Sequence, residues 1–473
     1  MKSMIIIPAE IFDGKPQTEW ESLWAEWMPL GPLSIATNTS HDTVVIDEAV
    51  TPDYIDYNNI SKDIKDIGFY CTIGNFRKVV ERSKSVRDLA PWVRISWGGP
   101  FCHVKWKKMI ERPEVDWICY GYGEETWERV LNEGLNEDIP NLVYRENGKV
   151  VITPMKVRDL RILKKPNFDL LPDYEIRNKN FIEKGPYGVG IPGVDYEGWQ
   201  LISMISADGC PVGPQARCSF CTRGEEAYIV YGAELYAKNI KEYIEKYGKI
   251  IISEICDDFM NMGFLKTLDI ELTKQNVPRD KFNIDFCFGS AYLLSTKSEK
   301  QKQEYMRLLK SLNIRRVFVG YEHRTPELLN IVKLGLTQEQ QDITTDLLIE
   351  AGIEIDAAFI LGVPGETKET LKEVYEFAKE LKRKSKNINI RPHILILIPP
   401  SGLWIEAIKN SDFNNKFGDT DIMDICVLNN EAINLFYNDG KPEEITGENA
   451  IDKVYQAQWY MKHLNDENPP FWY

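Results

Sequence analysis

The stretch Cys210-Pro-Val-Gly-Pro-Gln-Ala-Arg-Cys218-Ser-Phe-Cys221 places three thiols within twelve residues, two of them in C-x-x-C spacing. Gly213 and Pro214 predict a turn-rich loop, not a helix, between the first two cysteines. The preceding apolar run, Leu201–Ile205, predicts a buried strand that leads into this loop. Because α/β folds place their binding sites at the carboxyl ends of strands, the thiols stand where such a site is expected.

Three thiols in one loop are compatible with three kinds of structure. Thiolates are the ligands of iron–sulfur clusters, and a set of three leaves one iron of a four-iron cluster without a protein ligand. That iron would be open to a substrate or cofactor. A structural zinc site would need a fourth Cys or His, and none lies nearby in the sequence. The third interpretation is three unrelated buried cysteines.

The composition excludes several classes of protein. The chain has 473 residues, 43% of them hydrophobic, and a formal net charge of −15. A chain of this length predicts about three domains. The acidic balance disfavours a nucleic-acid partner, since phosphate binding needs a basic face. We find no signal peptide and no apolar run long enough to cross a membrane. We therefore expect a cytoplasmic protein, in which clustered cysteines serve metal or redox chemistry.

Residues 1–135 are predicted to form a Rossmann-like, doubly wound α/β domain, because short apolar runs recur between helical or loop segments. The predicted strands are Met4–Ile7, Val44–Ile46, Ile67–Cys71, Val93–Trp97 and Val115–Tyr120. The pair Gly98-Gly99 and the sequence Gly121-Tyr-Gly123 follow two of these runs, and glycines at strand ends let a ligand approach the backbone. No G-x-G-x-x-G follows the first strand, so an NAD-type site is not supported.

Residues 136–198 are predicted as a connector, residues 199–400 as a partial (β/α)6 barrel, and residues 401–473 as a small C-terminal cap or substrate domain. Strand and helix patterns alternate six times through the barrel region. The predicted strands are Leu201–Ser206, Lys249–Cys256, Lys281–Phe288, Ile314–Tyr321, Ile355–Gly362 and Ile388–Leu397. Thr337 and Gln340 predict a capping box that opens one of the helices, and Gly352 predicts its end.

Polar residues follow several of the predicted barrel strands. These residues are Asp257 and Asp258, Ser290, Glu322 and His323, and the segment Gly362–Thr367. Because the carboxyl ends of parallel strands meet at one rim, we expect these side chains to share a site with the cysteines. Each also has a structural explanation: Asp258 or Glu366 would cap the next helix, and His323 would be a satisfied structural histidine.

At this point the sequence resembles radical S-adenosylmethionine (SAM) enzymes with an N-terminal cobalamin-binding domain, over residues 1–400. The motifs that carry the resemblance are Gly209–Cys221, Val319–Glu322 followed by Leu328–Lys333 and Gly335, Phe359–Thr367, Leu30–Leu33, Trp97–Pro100 and Tyr120–Thr126. Two features depart from the family. Its usual thiol spacing is C-x3-C-x2-C, whereas seven residues separate the first two cysteines here. The D-x-H-x-x-G signature of methionine-synthase-like cobalamin sites is absent.

The resemblance implies three cofactors, which are a [4Fe-4S] cluster, SAM and cobalamin. It assigns the cluster to Cys210, Cys218 and Cys221. It places SAM against Phe220, Asp257, Ser290 and Glu322. The cobalamin contacts that it implies are Leu33, Cys71, Thr72, Gly98, Gly99, Gly123 and Glu124, with the loop Cys71–Asn75 under the cobalt. Glu124 has a second interpretation, as a carboxylate at a helix N-terminus.

The implied function is C-methylation by a cobalamin-dependent radical SAM methyltransferase. In such enzymes a 5′-deoxyadenosyl radical abstracts hydrogen from an unactivated sp3 carbon, and methylcobalamin donates the methyl group. The substrate would be a peptide or protein residue, for example one in methyl-coenzyme M reductase, or a small molecule. An electron donor such as flavodoxin or ferredoxin would be the partner, under anaerobic conditions. No residue is nominated as a general base.

Three alternatives stay open. A related enzyme would use cobalamin to cyclise or rearrange a small metabolite. An enzyme that resembles the tRNA methylthiotransferases would bind a second cluster through three N-terminal cysteines, but Cys71, Cys102 and Cys119 come late in the first domain. A protein of a different class, a metal-binding redox protein, would hold zinc or no metal and would not cleave SAM.

Overall fold

The computed structural model describes residues 2–9, 11–12, 15–16, 28–184, 195–211, 218–222, 228–296, 298–418, 425–436 and 450–464. The interior of the cysteine loop, including Gly213 and Pro214, lies outside the described residues, as do parts of the C-terminal region. The chain divides into two compact units. The first comprises residues 1–190 and 419–426, and the second comprises residues 191–418 and 427–473.

The first unit contains a seven-stranded sheet in the order β4-β1-β5-β6-β7-β8-β9. Its strands, with the separate ribbon β2–β3, are β1 (Lys2–Ile7), β2 (Ile11–Phe12), β3 (Lys15–Pro16), β4 (Asp42–Asp47), β5 (Ile64–Tyr70), β6 (Arg94–Gly98), β7 (Trp117–Cys119), β8 (Leu142–Glu146) and β9 (Lys149–Ile152). The first five strands of the sheet are parallel, and β8 and β9 are antiparallel. The predicted doubly wound sheet is thus confirmed, with a switch point between β1 and β5.

The helices among the described residues of this unit are α1 (Leu30–Thr37), α2 (Phe76–Leu89), α3 (Pro100–Met109), α4 (Glu124–Glu133) and α5 (Tyr174–Lys184). Helix α2 shows how they pack. Its buried residues Phe76, Val79 and Val86 recur at helical spacing and face the sheet. The indole of Trp97 on β6 donates a hydrogen bond to Ser83 of α2 at 2.8 Å, so its one polar atom is satisfied inside this core.

The segment that the sequence suggested as a connector contributes to the first unit. Strands β8 and β9 extend its sheet, and α5 docks through Arg177, which is fully buried. The guanidinium of Arg177 pairs with Asp173, the residue before α5, at 3.0 Å and with Asp47 at the end of β4 at 2.6 Å. A buried arginine between two carboxylates fixes α5 against the sheet.

The second unit holds the sheets β10-β13-β14 and β15-β16-β17-β18. Its strands are β10 (Trp199–Met204), β11 (Ala207–Asp208), β12 (Ile229–Val230), β13 (Lys249–Glu254), β14 (Phe282–Phe286), β15 (Phe288–Ser290), β16 (Arg316–Glu322), β17 (Glu354–Leu361) and β18 (Ile388–Ile394). Only Cys287 separates β14 from β15, and all the pairings within the two sheets are parallel. The six predicted strands therefore follow one another in space, which confirms the partial barrel.

The described helices of the second unit are α6 (Ala233–Tyr247), α7 (Met262–Lys274), α8 (Ala291–Leu294), α9 (Glu299–Ser311), α10 (Pro326–Val332), α11 (Gln338–Ala351), α12 (Lys368–Lys384), α13 (Gly402–Ala407), α14 (Ser411–Phe417), α15 (Ile425–Phe436) and α16 (Ala450–Lys462). The first two residues of α15 are assigned to the first unit and the rest to the second. Helix α11 has the predicted capping box between Thr337 and Gln340, and Gly352 ends it in the left-handed conformation. Among the described residues, no helix is long and apolar enough to cross a bilayer.

Candidate functional site

The cysteine loop leaves and rejoins the barrel through a two-stranded stem. Ala207 and Asp208 of β11 pair antiparallel with Val230 and Ile229 of β12. The hydroxyl of Tyr231 also donates a hydrogen bond to the carboxylate of Asp208. Only Gly209 separates Cys210 from the first strand of this stem, so the stem restricts the position of Cys210.

The second part of the loop is docked on the rim of the barrel. Cys218 forms a backbone bridge with Lys333, and the amide of Ser219 donates to the carbonyl of Val332 at 2.9 Å. The carbonyl of Ser219 accepts from Leu403 at the start of α13 at 2.8 Å. Phe220 packs against an apolar cluster formed by Leu328, Val332 and Val363. Residues 218–220 are therefore held by three different elements.

The three thiols differ from the other described cysteines in their exposure. Cys210 and Cys218 are half-buried and Cys221 is exposed. The described cysteines that are buried are Cys71, Cys102, Cys119, Cys256 and Cys287. The exposure of the triplet contradicts the interpretation of three unrelated buried cysteines.

The thiols lie within electrostatic reach of one another. Burial raises the pKa of Cys218 to about 12, Lys333 opposes this shift, and Glu322, Cys221 and Cys210 add to it. No three His, Cys, Asp or Glu side chains among the described residues stand together as a preformed metal cage. The donor set itself suits an iron–sulfur cluster, since it consists of three cysteines on one loop, none of which is fully buried.

A buried ion pair lies beside Cys218. The ammonium of Lys333 is 3.0 Å from a carboxylate oxygen of Glu322 and 3.3 Å from the carbonyl of Gly320. Both charged side chains are almost fully buried. Although burial lowers the pKa of Lys333, Glu322 and Cys218 raise it above the ordinary value. Glu322 has a φ of 61°, a left-handed conformation that is rare for a residue with a side chain and typical of functional sites.

Asp258 and Ser290 connect the ends of neighbouring strands. One carboxylate oxygen of Asp258 accepts from the amide of Met260 at 3.0 Å, and the other accepts from the amide of Ser290 at 3.2 Å. Burial raises the pKa of this carboxyl group. The hydroxyl of Ser290 caps α8 by accepting from Leu293. Asp257 lies next to Asp258 at the same rim, so the structure brings Asp257, Ser290 and Glu322 to the carboxyl ends of three strands.

His323 and Glu366 form a fully buried tie between two loops of the rim. The amide of Thr325 donates to Nδ1 of His323 at 3.1 Å, so Nε2 carries the proton and donates to Glu366 at 3.0 Å. The other oxygen of Glu366 accepts from the amides of Gly362 and Val363. The interpretation of His323 as a satisfied histidine is confirmed, and the tie fixes the loop that follows β17.

At the carboxyl edge of the first sheet, the loops after β5 and β6 press against each other. The amide of Cys71 donates to the carbonyl of Gly98 at 2.7 Å. Gly99 has a φ of 102°, and a Cβ at this position would lie 2.8 Å from the carbonyl oxygen of Cys71. Only glycine fits there without strain. The side chain of Asn75 connects the two strands at the switch point. Its Nδ2 donates to the carbonyl of Pro8, just after β1, at 3.1 Å and to the carbonyl of Tyr70, at the end of β5, at 3.0 Å.

A cavity of about 140 Å³ opens at this edge. Its wall includes the predicted contacts Gly98, Gly99, Gly123 and Glu124, together with Gly31, Gly68, Gly121, Tyr70, Tyr122, Trp97, Trp117, Trp127 and Arg158. The indole N–H groups of Trp117 and Trp127 are buried and have no hydrogen-bond partner among the described residues. A mainly apolar cavity with unused donors is typical of a site for a flat organic ring.

Other predicted contacts in this unit lie elsewhere. Leu33 and Cys71 are fully buried and are not part of the cavity wall. The amide of Thr72 donates to Asn75 at 2.8 Å, within the loop after β5. Burial also raises the pKa of the thiols of Cys102 and Cys119, which are therefore protonated and unreactive.

Glu124 is held by side chains that the sequence did not reveal as part of a site. One of its carboxylate oxygens accepts from Ser34 at 2.7 Å and from Arg158 at 2.9 Å. The guanidinium of Arg158 lies 5.0 Å from the centre of the Tyr122 ring. Glu124 is thus a buried, paired carboxylate at the edge of the cavity, in the first turn of α4. The sequence offered no local signal for Arg158, which lies in the segment predicted as a connector.

Residues 204–378 match the Radical SAM superfamily. The chain is 25% identical over 407 residues to a protein of Pyrococcus horikoshii named uncharacterized methyltransferase PH0819, with 81% of this chain and 79% of the relative covered. It is 24% identical over 386 residues to the anaerobic magnesium-protoporphyrin IX monomethyl ester cyclase of Cereibacter sphaeroides, which covers 76% of this chain and 56% of that protein.

Two solved structures are similar over most of the chain. OxsB, a cobalamin-dependent SAM radical enzyme solved with aqua-cobalamin, has a TM-score of 0.61 at 17% identity and covers 88% of this chain, which spans 56% of the OxsB chain. The methyltransferase TsrM from Kitasatospora setae, solved with cobalamin and a [4Fe-4S] cluster, has a TM-score of 0.58 at 16% identity, covering 86% of this chain and 78% of that chain. Such identities show a shared fold. The middle of this chain thus matches the radical SAM superfamily, and the chain as a whole shares its fold with OxsB and TsrM.

Proposed function

We propose that this protein is a cobalamin-dependent radical SAM methyltransferase that adds a methyl group to an unactivated sp3 carbon. The observation that carries the proposal is the docked triplet of accessible thiols beside the buried pair Lys333–Glu322. Both features lie at the carboxyl ends of the barrel strands, where the fold holds its reactants. The superfamily match covers these residues.

Cys210, Cys218 and Cys221 would ligate a [4Fe-4S] cluster, and when bound the cluster supplies the electron that cleaves SAM. The chain orients the SAM molecule. Lys333 and Glu322 offer one positive and one negative charge, which match the carboxylate and the ammonium of a methionine moiety. Phe220 would contact the adenine, and Ser290 and Asp257 would hold the polar groups of the nucleoside. We propose Lys333 as a further SAM-binding residue because it is paired with Glu322 beside Cys218.

The first unit would hold cobalamin, whose methyl group is the one transferred. The cavity at its sheet edge suits the flat nucleotide base of this cofactor, because its wall includes three tryptophan rings and the backbone of several glycines. No histidine stands among the residues of the cavity wall, so this wall offers no imidazole ligand to cobalt.

The proposed substrate is a peptide or protein residue, such as one in methyl-coenzyme M reductase, and the proposed electron donor is a flavodoxin or ferredoxin. The acidic charge of the chain supports a substrate other than nucleic acid. A radical cyclase that acts on a small metabolite is the second candidate function. The similarity to the magnesium-protoporphyrin ester cyclase over 76% of the chain favours it over the remaining alternatives.

Anaerobic reconstitution tests the proposal. We expect about four iron atoms per chain, a corrinoid absorption spectrum and release of 5′-deoxyadenosine on reduction with SAM. A methyltransferase also produces S-adenosylhomocysteine, because a second SAM remethylates the cobalt, and a cyclase does not. Absence of SAM cleavage by the iron-loaded protein would overturn the proposal. Cleavage without S-adenosylhomocysteine, across a set of peptide substrates, would favour the cyclase.

A further inference from the structure

We infer that Glu254, a buried carboxylate outside the cysteine loop, is the positioning residue that holds the base of this loop and so sets the place of Cys210. The inference rests on the proposed cluster site and concerns how this chain builds it. Glu254 ends β13 and has no exposed surface. It touches none of the three cysteines and acts through Ser206, four residues before Cys210.

Glu254 makes hydrogen bonds with both of its oxygens. Oε1 accepts from the amide of Ser206 at 2.8 Å and from its hydroxyl at 3.0 Å. Oε2 accepts from the hydroxyl of Tyr236 on α6 at 2.5 Å. The carboxylate thereby joins the end of β13, the helix α6 and the start of the loop. Its three hydrogen bonds to Ser206 and Tyr236 are all buried, so losing one would leave a buried polar group without its partner.

Ser206 has each of its backbone and side-chain polar groups engaged. Its carbonyl accepts from the amide of Tyr231 at 3.0 Å, and its hydroxyl is 3.3 Å from the sulfur of Cys256. The stem strand β11 begins at the next residue. Ser206 is therefore the point where the stem meets the barrel, and Glu254 is the group that holds Ser206 there.

The spacing of the cysteines explains why such an anchor is needed. Seven residues separate Cys210 from Cys218, so the connection between them restricts the position of Cys210 less than a short loop would. The other two cysteines are fixed separately by the bridge to Lys333 and by Phe220. Cys210 must then be placed from its own side, and the stem anchored on Glu254 does this.

A buried carboxylate stabilises the fold in any case, so a matched control must separate stability from positioning. Asp285 on β14 provides it. This residue is also fully buried and pairs with Arg315 at 2.8 Å. It bonds to Arg315 and Tyr196, not to the stem. The variants Glu254→Gln and Asp285→Asn each replace one buried carboxyl group by an amide. The first carboxyl group bonds to the stem at Ser206 and the second bonds to Arg315 instead.

The test measures the thiols directly in the full-length apo-protein under anaerobic conditions. Alkylation of Cys210 relative to Cys221 is followed by mass spectrometry, and iron content and the EPR spectrum of the reduced cluster are recorded after reconstitution. In Glu254→Gln we expect Cys210 to react about tenfold faster than in the wild type, because the amide has one acceptor oxygen and cannot accept from both Ser206 and Tyr236. Iron content falls and the EPR spectrum changes. Asp285→Asn lowers the melting temperature and leaves the relative reactivity and the spectrum as in the wild type.

Ser206→Ala keeps the test decisive if Glu254→Gln does not fold, since it removes only the hydroxyl bonds at the same junction. We expect the same changes with a smaller size. The inference is overturned if both variants keep wild-type thiol reactivity and EPR spectrum while their melting temperatures fall as in Asp285→Asn. Failure of the wild type to take up iron would instead overturn the proposed function, and the alkylation rates would still decide the role of Glu254.

Discussion

The carboxyl edge of the sheet in the first unit and the carboxyl edge of the barrel differ in their chemistry. In the first unit the edge is a cavity walled by glycine backbone and by Trp97, Trp117 and Trp127. In the barrel the edge is built from buried charges, with Lys333 paired to Glu322 and His323 paired to Glu366. The same topological rule places both edges. The comparison shows that the first edge has a cavity suited to a flat ring, whereas the second edge has charged side chains suited to a polar ligand.

The two edges also differ in what fixes them. Backbone contacts fix the first, because the amide of Cys71 binds the carbonyl of Gly98 and no Cβ fits at Gly99. Side-chain ties fix the second, including Asp258 to the amide of Ser290 and Glu254 to Ser206. Added methyl groups should therefore damage the first edge, and lost charges should damage the second.

The largest effect is expected at Cys218. Cys218→Ala removes one of three thiolate ligands from the proposed cluster, so iron retention and 5′-deoxyadenosine formation should fall below detection. Iron analysis and chromatography after anaerobic reconstitution measure both. Cys287→Ala is the matched control, because its thiol is buried between β14 and β15 and should only leave a small cavity. Iron retained in Cys218→Ala and lost in Cys287→Ala would show that the charged edge is not a cluster site.

Sequence periodicity was sufficient for the strands of both sheets, because parallel strands buried on both faces are short apolar runs. The capping box at Thr337 and Gln340 was also readable, since its two residues are three positions apart. The pairs Glu254–Ser206, Glu322–Lys333 and Glu124–Arg158 were not readable as pairs. Their partners are 11 to 48 residues apart, and nothing local in the sequence joins them.

The hairpin β8–β9 has a local sequence signal, which is the Asn-Gly pair at its turn. Asn147 and Gly148 separate the two strands and have positive φ values of 49° and 77°. Asn-Gly between apolar residues is a strong hairpin signal, because both turn positions need a left-handed backbone. The surrounding charged and proline-rich sequence made residues 136–198 resemble a connector, and the strand pairing places residues 142–152 in the sheet instead.

The second largest effect is expected from the charged edge when one partner of its ion pair is removed. Lys333→Met leaves Glu322 buried without its cation, which should cost about 3–5 kcal/mol of unfolding free energy. Denaturant titration of the apo-protein measures this loss. In the double variant Lys333→Met/Glu322→Gln the loss should be much smaller than the sum of the two single variants. Additive losses would mean that the two side chains do not interact.

A third test uses pH. Burial raises the pKa of Glu254 from 4.5 to about 7, so the folded chain holds this proton more tightly than the unfolded chain does. The stability that this protonation contributes is complete below pH 4.5 and is lost as the pH rises to about 7. The wild type should therefore lose roughly 3 kcal/mol across this window relative to Glu254→Gln.

The groups around Glu254 should not titrate in the same window. Tyr236, Cys256 and Cys287 face it, and burial raises the pKa of each above its ordinary value. They keep their protons between pH 4.5 and 7, so the difference between wild type and Glu254→Gln reports one carboxyl group. Unfolding free energies measured at closely spaced pH values give this difference. Parallel pH curves for the two proteins would show that Glu254 does not titrate there.

The smallest effect, and the one that tests the shape of the first edge, is expected at Gly68. A Cβ on Gly68 would lie 2.8 and 2.9 Å from two ring atoms of Trp127, whereas a Cβ on Gly98 would meet only Cys119 at 3.7 Å. Both positions belong to the wall of the cavity. Gly68→Ala should cost about 1–3 kcal/mol because the indole must shift, and Gly98→Ala should cost less. Each variant adds one methyl group, so a greater loss of cobalamin affinity in Gly68→Ala, measured by absorption titration, would trace recognition to the placement of Trp127. Equal cobalamin affinities in both variants and the wild type would show that the cavity is not part of the cobalamin site.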